Sequence, residues 1–215
     1  VHYARLFASH VTSAAFPCTL GKSAYRNLSF RFSLFNDIND VLDREGLCHD
    51  LHTFVSERGF IAQRPGVYET YAAAFLGPIA QSETEFETQL WDVLQSLHDR
   101  DVDGWDASTS RDASNPNFSF SFAGRSFFLV GLHPQSSRIS RRFVLPTMVF
   151  NGHDQFEDLR TRGKFDVAQD AIRKKDIALQ GTINPSLTTY GQDSEAKQYS
   201  GRLVEPNWVC PFKAK

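Results

Sequence analysis

Asn117-Phe-Ser-Phe-Ser-Phe-Ala-Gly-Arg-Ser-Phe-Phe-Leu-Val130 is the stretch on which the architecture turns. Phe118, Phe120 and Phe122 alternate with Ser119 and Ser121, the two-residue period of a strand with one buried face. Ala123-Gly124 offers a tight turn, and Ser126–Val130 returns as an almost wholly apolar run. The pattern predicts a β-hairpin whose second strand is the more deeply buried.

Other elements follow outward from the hairpin. Phe16-Pro-Cys-Thr-Leu-Gly21 reads as a turn leading through Lys22–Tyr25 into Leu28-Ser-Phe-Arg-Phe-Ser-Leu-Phe35, which alternates and predicts a half-buried strand. Apolar residues recur at helical spacing from Ile38 to about Arg58, with Gly59 as the stop. Ser82 and Glu85 form a capping box before a stripe of Phe86, Leu90, Leu94 and Leu97. Asp99–Pro116, rich in Asp, Ser and Asn, reads as a loop.

Beyond the hairpin, Phe143–Phe150 predicts an edge or bulged strand, because Pro146 interrupts it. Asp154 is placed as the cap of a helix starting near Gln155, with Phe156 and Leu159 on one face. A second helix is expected over Asp166–Leu179. From Gly181 the chain is turn-rich and aperiodic, as in a lid or clasp. The whole predicts one α+β domain over residues 1–215: a mostly antiparallel sheet flanked by helices, with a long irregular C-terminal clasp.

Composition narrows the function. With 215 residues, 41% hydrophobic and 22% charged, the chain can bury a real core. A formal charge of -2 argues against nucleic-acid binding, and no run approaches a membrane span. Cys18, Cys48 and Cys210 have no CxxC spacing and form an odd set, which speaks against structural zinc and a disulfide framework and for a cytoplasmic protein. Because the chain begins at Val1, a preceding targeting segment is left open. The 19 phenylalanines suit an aromatic core or a slot for a large planar ligand.

Chemistry concentrates where the apolar run ends, in Gly131-Leu-His-Pro-Gln-Ser-Ser-Arg-Ile-Ser-Arg-Arg-Phe143 and Phe150-Asn-Gly-His-Asp-Gln-Phe-Glu-Asp-Leu-Arg160. His133, stiffened by Pro134, could be an axial ligand to iron, a general base or a hydrogen-bonded loop histidine. Arg138, Arg141 and Arg142 stand at i, i+3 and i+4, so one helical turn would give them a common anion-pairing face or a solvated basic one. His153 is a second candidate ligand or a capping residue; Cys18 and Cys210 are candidate thiolate ligands or inert buried thiols. No phosphate loop, dinucleotide fingerprint or Ser-His-Asp order occurs.

These blocks resemble the YqcI/YcgG family, which includes the guanitoxin-type and cycloserine-pathway haem-dependent N-hydroxylases. The resemblance rests on residues 16–21, 131–143 and 150–160, with Gln180-Gly-Thr-Ile-Asn-Pro-Ser-Leu187, Ser194-Glu-Ala-Lys-Gln-Tyr-Ser-Gly-Arg202 and Trp208-Val-Cys-Pro-Phe212, in order along nearly the whole chain. It implies a haem-b protein that uses dioxygen and external electrons to hydroxylate a guanidine or amine nitrogen of a small amino-acid-like substrate, such as arginine or a derivative. Lys197 stands where relatives are expected to carry arginine.

On that basis His133 is expected to bind the haem iron, with Cys18, His153 and Cys210 as alternatives. Ser137, Arg138, Arg141, Arg142, Phe143, Asn151 and His153 are expected around the cofactor, the arginines pairing with haem propionates or a substrate carboxylate. Glu157 and Glu195 are the carboxylates nominated to orient the substrate nitrogen, and Ser194–Arg202 the cover of the pocket. A redox partner is expected and a homodimer left open. The rival readings are a non-catalytic haem-binding or sensing protein and a metal-free interaction domain.

Overall fold

The computed structural model describes residues 2–13, 16–57, 67–184 and 191–215. Its centre is a five-stranded sheet in the order β1-β2-β5-β4-β3, with β1 at Phe30–Asp37, β2 at Thr70–Gly77, β3 at Phe120–Phe122, β4 at Arg125–Leu132 and β5 at Thr147–Gly152. Only β1 and β2 run parallel, so the sheet is mostly antiparallel as the sequence predicted. The parallel pair is joined by α3 (Val41–Ser56), because two parallel strands need a crossover.

Helices cover both faces. On one, Leu47, Leu51 and Phe54 of α3 and Phe86, Leu90 and Leu97 of α4 (Glu83–Arg100) pack with Tyr71, Phe75, Phe127 and Phe150. On the other, Phe7 and Val11 of α1 (His2–Thr12) pack with Ala72, Ala74 and Val149. Caps set the helix starts: Asp40 accepts from the amides of Leu42 and Asp43, and Ser82 from that of Glu85. The remaining helices are α2 (Thr19–Arg26), α5 (His153–Thr161), α6 (Phe165–Gln180) and the short α7 (Ala196–Tyr199). Gly181 ends α6 in the left-handed region, at φ 78.

Several local expectations are corrected. The segment after Pro17 is a helix rather than a turn, because the Cys18 thiol caps it through the amide of Gly21. Pro146 precedes β5 instead of interrupting it, and β5 is the central strand, paired on both sides; pairing starts at Thr147, so the missing proline N–H costs nothing. The carbonyl of Pro146 even accepts from the amide of Phe75. The first hairpin strand is as buried as the second, since Tyr199 and Phe212 close over Phe118 and Phe120. Gly152, not Asp154, stands at the N-cap of α5; the Asp154 carboxylate is drawn to Arg125 instead. Gly59 and part of the turn-rich Gln180–Leu187 block lie outside the described residues.

The C-terminal clasp is present. Phe212 sits 5% exposed among Trp91, Trp105 and Phe118, and the amide of Lys213 donates to Gln95 of α4. Among the described residues no helix is long and apolar enough to cross a membrane.

Candidate functional site

The loop after β4 is built from its own backbone outward. Side chains of α4 and α6 hold it at its exposed positions, Ser137 and Ile139, as well as at the buried Arg138. Glu83 accepts from both the amide and the hydroxyl of Ser137, each at 2.9 Å. Gln180 accepts from the amide of Ile139 at 2.8 Å and donates to the carbonyl of Ser137 at 3.0 Å. Arg142 donates to the carbonyl of Ser136 at 2.6 Å. Arg138 pairs with Asp176 of α6, both side chains buried, and donates to the side chain and carbonyl of Thr182.

The three arginines therefore share no face. A single 3-10 turn, Ile139–Arg141, separates them, and each goes to a different partner set. Arg138 and Arg142 are occupied by the architecture. Arg141 differs: 7% exposed, it donates only to the carbonyls of Gly131, 3.3 Å, and Tyr199, 3.2 Å, and no carboxylate among the described residues forms an ion pair with it. Burial lowers its pKa to about 10.

His133 sits against this arginine, its amide donating to the Arg141 carbonyl at 3.1 Å. The imidazole is fully buried and stacked on Phe86, and neither ring nitrogen has a hydrogen-bond partner among the described residues. Desolvation pushes its pKa down to about 4, so at neutral pH the ring is uncharged and keeps a lone pair. A buried imidazole with no nitrogen partner and a guanidinium with no carboxylate pair, among the described residues, are donor types that a haem would use, but the ring is fully enclosed against Phe86 and neither residue lines the cavity described next. Among the described residues no group of three His, Cys, Asp or Glu side chains could hold a bare metal ion, whereas an axial haem ligand needs only one.

A separate cavity of about 150 Å³ lies between β4, α5, α6 and α7. Phe128, Phe156, Leu159, Phe165 and Ile172 give it apolar walls. Its floor holds Glu195, 3% exposed, and His153, 5% exposed, with their Oε2 and Nδ1 atoms 3.9 Å apart. The other Glu195 oxygen lies 2.7 Å from the Ser119 hydroxyl, which donates, and 2.5 Å from that of Tyr199. Burial outweighs those bonds and raises the Glu195 pKa to about 8, so the group is a neutral acid at pH 7. Burial likewise lowers the pKa of His153. Such a volume would hold a benzene-sized body and is far too small for a porphyrin.

The other expected site residues fall outside this cavity. Phe143 packs edge-on against Phe7 of α1. Asn151 accepts from Thr70 at 3.0 Å and donates to the Phe128 carbonyl at 3.3 Å, bracing the sheet. Desolvation raises the Cys18 thiol, outweighing Lys175 and Arg141 nearby, and pushes Cys210 up to about 12, so both stay protonated at neutral pH. Glu157 is half exposed and pairs with Arg160 and His153. Lys197 pairs with Asp193 on the surface, and Arg202 with Glu87 and Glu205.

Sequence reasoning missed the α6 wall of the cavity. Phe165, Ala168, Gln169, Ile172 and Arg173 recur at i, i+3, i+4, i+7 and i+8, which is a single helical face and could have been read as one. It also missed Tyr199 and Ser119, whose link to Glu195 spans 76 positions of sequence in the case of Ser119.

Residues 7–213 match the YqcI/YcgG family. Among curated proteins, the "Uncharacterized protein YqcI" of Bacillus subtilis (strain 168) is 26% identical over 208 residues, 92% of this chain and 80% of that protein. No solved structure matches.

Proposed function

This chain belongs to the YqcI/YcgG family, and we propose that it is a haem-dependent oxygenase that hydroxylates a guanidine or amine nitrogen of a small amino-acid-like substrate. The observation that carries the reading is the pairing of two buried groups that lack partners among the described residues, His133 on both ring nitrogens and Arg141 as to a counter-ion, joined through their backbones. Burying either costs free energy that a bound anionic metal complex would recover. A bound haem would supply dioxygen activation, with electrons from an external donor.

The chain's own residues have distinct tasks. His133 offers a neutral nitrogen lone pair, and Arg141 an anion contact. Arg138, Ser137 and Arg142 hold the loop that fixes both, through Asp176, Glu83 and the Ser136 carbonyl. Glu195 and His153 present a neutral acid and a neutral base to the separate cavity between β4, α5, α6 and α7. A guanidine bound as its cation would require Glu195 to release its proton to solvent; a neutral amine would accept a hydrogen bond from the protonated acid.

Haemin titration of the purified protein tests the reading. An intense Soret band is expected with wild type and loss of haem retention with His133→Ala. Retention that survives His133→Ala but disappears with His153→Ala, Cys18→Ala or Cys210→Ala would move the ligand. A protein that never takes up haemin would leave the interaction-domain reading. If haem binds but a reductant, oxygen and an amino-acid panel yield no hydroxylated product, the protein is a haem-binding or sensing module.

A further inference from the structure

The cavity between β4, α5 and α6 has a polarity that its volume alone does not explain. Its apolar walls are Phe128, Phe156, Leu159, Phe165 and Ile172. Two polar groups stand together on the α6 side, Gln169 and Arg173, one helical turn apart on the face turned to the cavity. Arg173 is half-buried and, among the described residues, makes no hydrogen bond or ion pair, unlike Arg160 beside it, which pairs with Glu157 and lies 4.2 Å over the Phe165 ring. Glu195 lies at the buried end, one carboxyl oxygen engaged by Ser119 and Tyr199 and the other left toward His153.

We propose that this cavity binds a small monocarboxylate with a flat or compact apolar body, its carboxylate on Arg173 and Gln169 and a single polar atom at its far end on Glu195. A guanidinium fork and an adjacent amide match a carboxylate in both charge and geometry. The half-buried position of Arg173 leaves the charged end of the ligand near water, which avoids the cost of burying an ion pair. The apolar walls take the body, and about 150 Å³ limits it to roughly one six-membered ring or a chain of similar bulk. Because the buried end carries an acid that is neutral at pH 7, it does not repel an anionic ligand and can make one hydrogen bond to a hydroxyl or amine. The inference concerns the cavity alone and stands whether or not haem binds.

Titration calorimetry of the purified protein at pH 7 with benzoate, 4-hydroxybenzoate and benzamide tests it. Benzoate should bind, 4-hydroxybenzoate more tightly, and the uncharged benzamide at least tenfold more weakly. Arg173→Met should weaken benzoate at least tenfold and leave benzamide unchanged. Ala168→Leu, at a half-buried position on the wall, should abolish all three by filling the space. Folding of each variant is checked by its thermal unfolding. Equal affinity for benzoate and benzamide, no effect of Arg173→Met, or no benzoate binding at millimolar concentration would overturn the proposal. Since heat is read and no Soret band is needed, a failed haem titration and a failed cavity titration are separate results.

Discussion

The imidazole of His133 lies face to face with the ring of Phe86, centroids 4.3 Å apart and planes within 20°. A charged ring could not stay there without a partner, so the native state requires the neutral form. With the folded pKa near 4, below the ordinary 6.5, the unfolded chain binds the proton first as pH falls. The stability this neutral ring contributes is complete above pH 6.5 and is lost between about 6.5 and 4. Denaturant titrations of haem-free protein should therefore show a steeper decline over that window in wild type than in His133→Phe, which keeps the stack; parallel curves would contradict the assignment.

Glu195 produces the opposite trend. Its folded pKa near 8 lies above the ordinary 4.5, so the native state holds the proton longer than the unfolded chain. Stability falls as pH rises from about 4.5 to 8 and levels off beyond. Glu195→Gln, which keeps the shape but cannot ionise, should flatten the curve there when unfolding midpoints are compared at pH 5 and 8.

The Arg138–Asp176 pair ties the loop after β4 to α6, both side chains less than a tenth exposed. Arg138→Met leaves the Asp176 carboxylate buried without its cation and should cost about 3–5 kcal/mol in urea unfolding. Adding Asp176→Leu should recover most of that loss, because no charge then remains buried. A double variant no more stable than the single one would show that the pair acts through something other than charge.

Gly131 is required by a close approach. A Cβ there would meet a ring carbon of Phe86 at 2.6 Å, the Tyr199 carbonyl at 2.9 Å and Leu90 at 3.0 Å. Gly131→Ala should destabilise by about 1–3 kcal/mol, seen as a lower urea midpoint at unchanged slope. It should also loosen the His133 loop that follows, so haem retention should drop with it.

Much of the fold was legible because it depends on local pattern. The end of the Phe-Ser alternation before Gly124, Phe120–Phe122, pairs as the hairpin strand the pattern predicts, while Phe118 bridges Ser110 instead, and Ser82 with Glu85 starts α4 through bonds three residues apart. Tyr71-Ala-Ala-Ala-Phe75 escaped such reading: alanine favours helices, yet here the segment is a strand buried on both faces, where small side chains let α1 and α3 close in. Pro146 misled for a related reason, since a proline just ahead of a strand and one inside it look alike until the pairing register is known.

The sequence by itself determined the α+β class, the hairpin, the Ser82 cap of α4, the C-terminal clasp and the family, because periodicities, turn residues and ordered motif blocks are local. Which arginine keeps a free charge, which histidine loses its partners and which glutamate becomes a neutral acid were decided only in three dimensions. Desolvation and ion pairing depend on groups remote in sequence, such as Asp176 for Arg138 or Ser119 for Glu195, and no spacing rule brings those together.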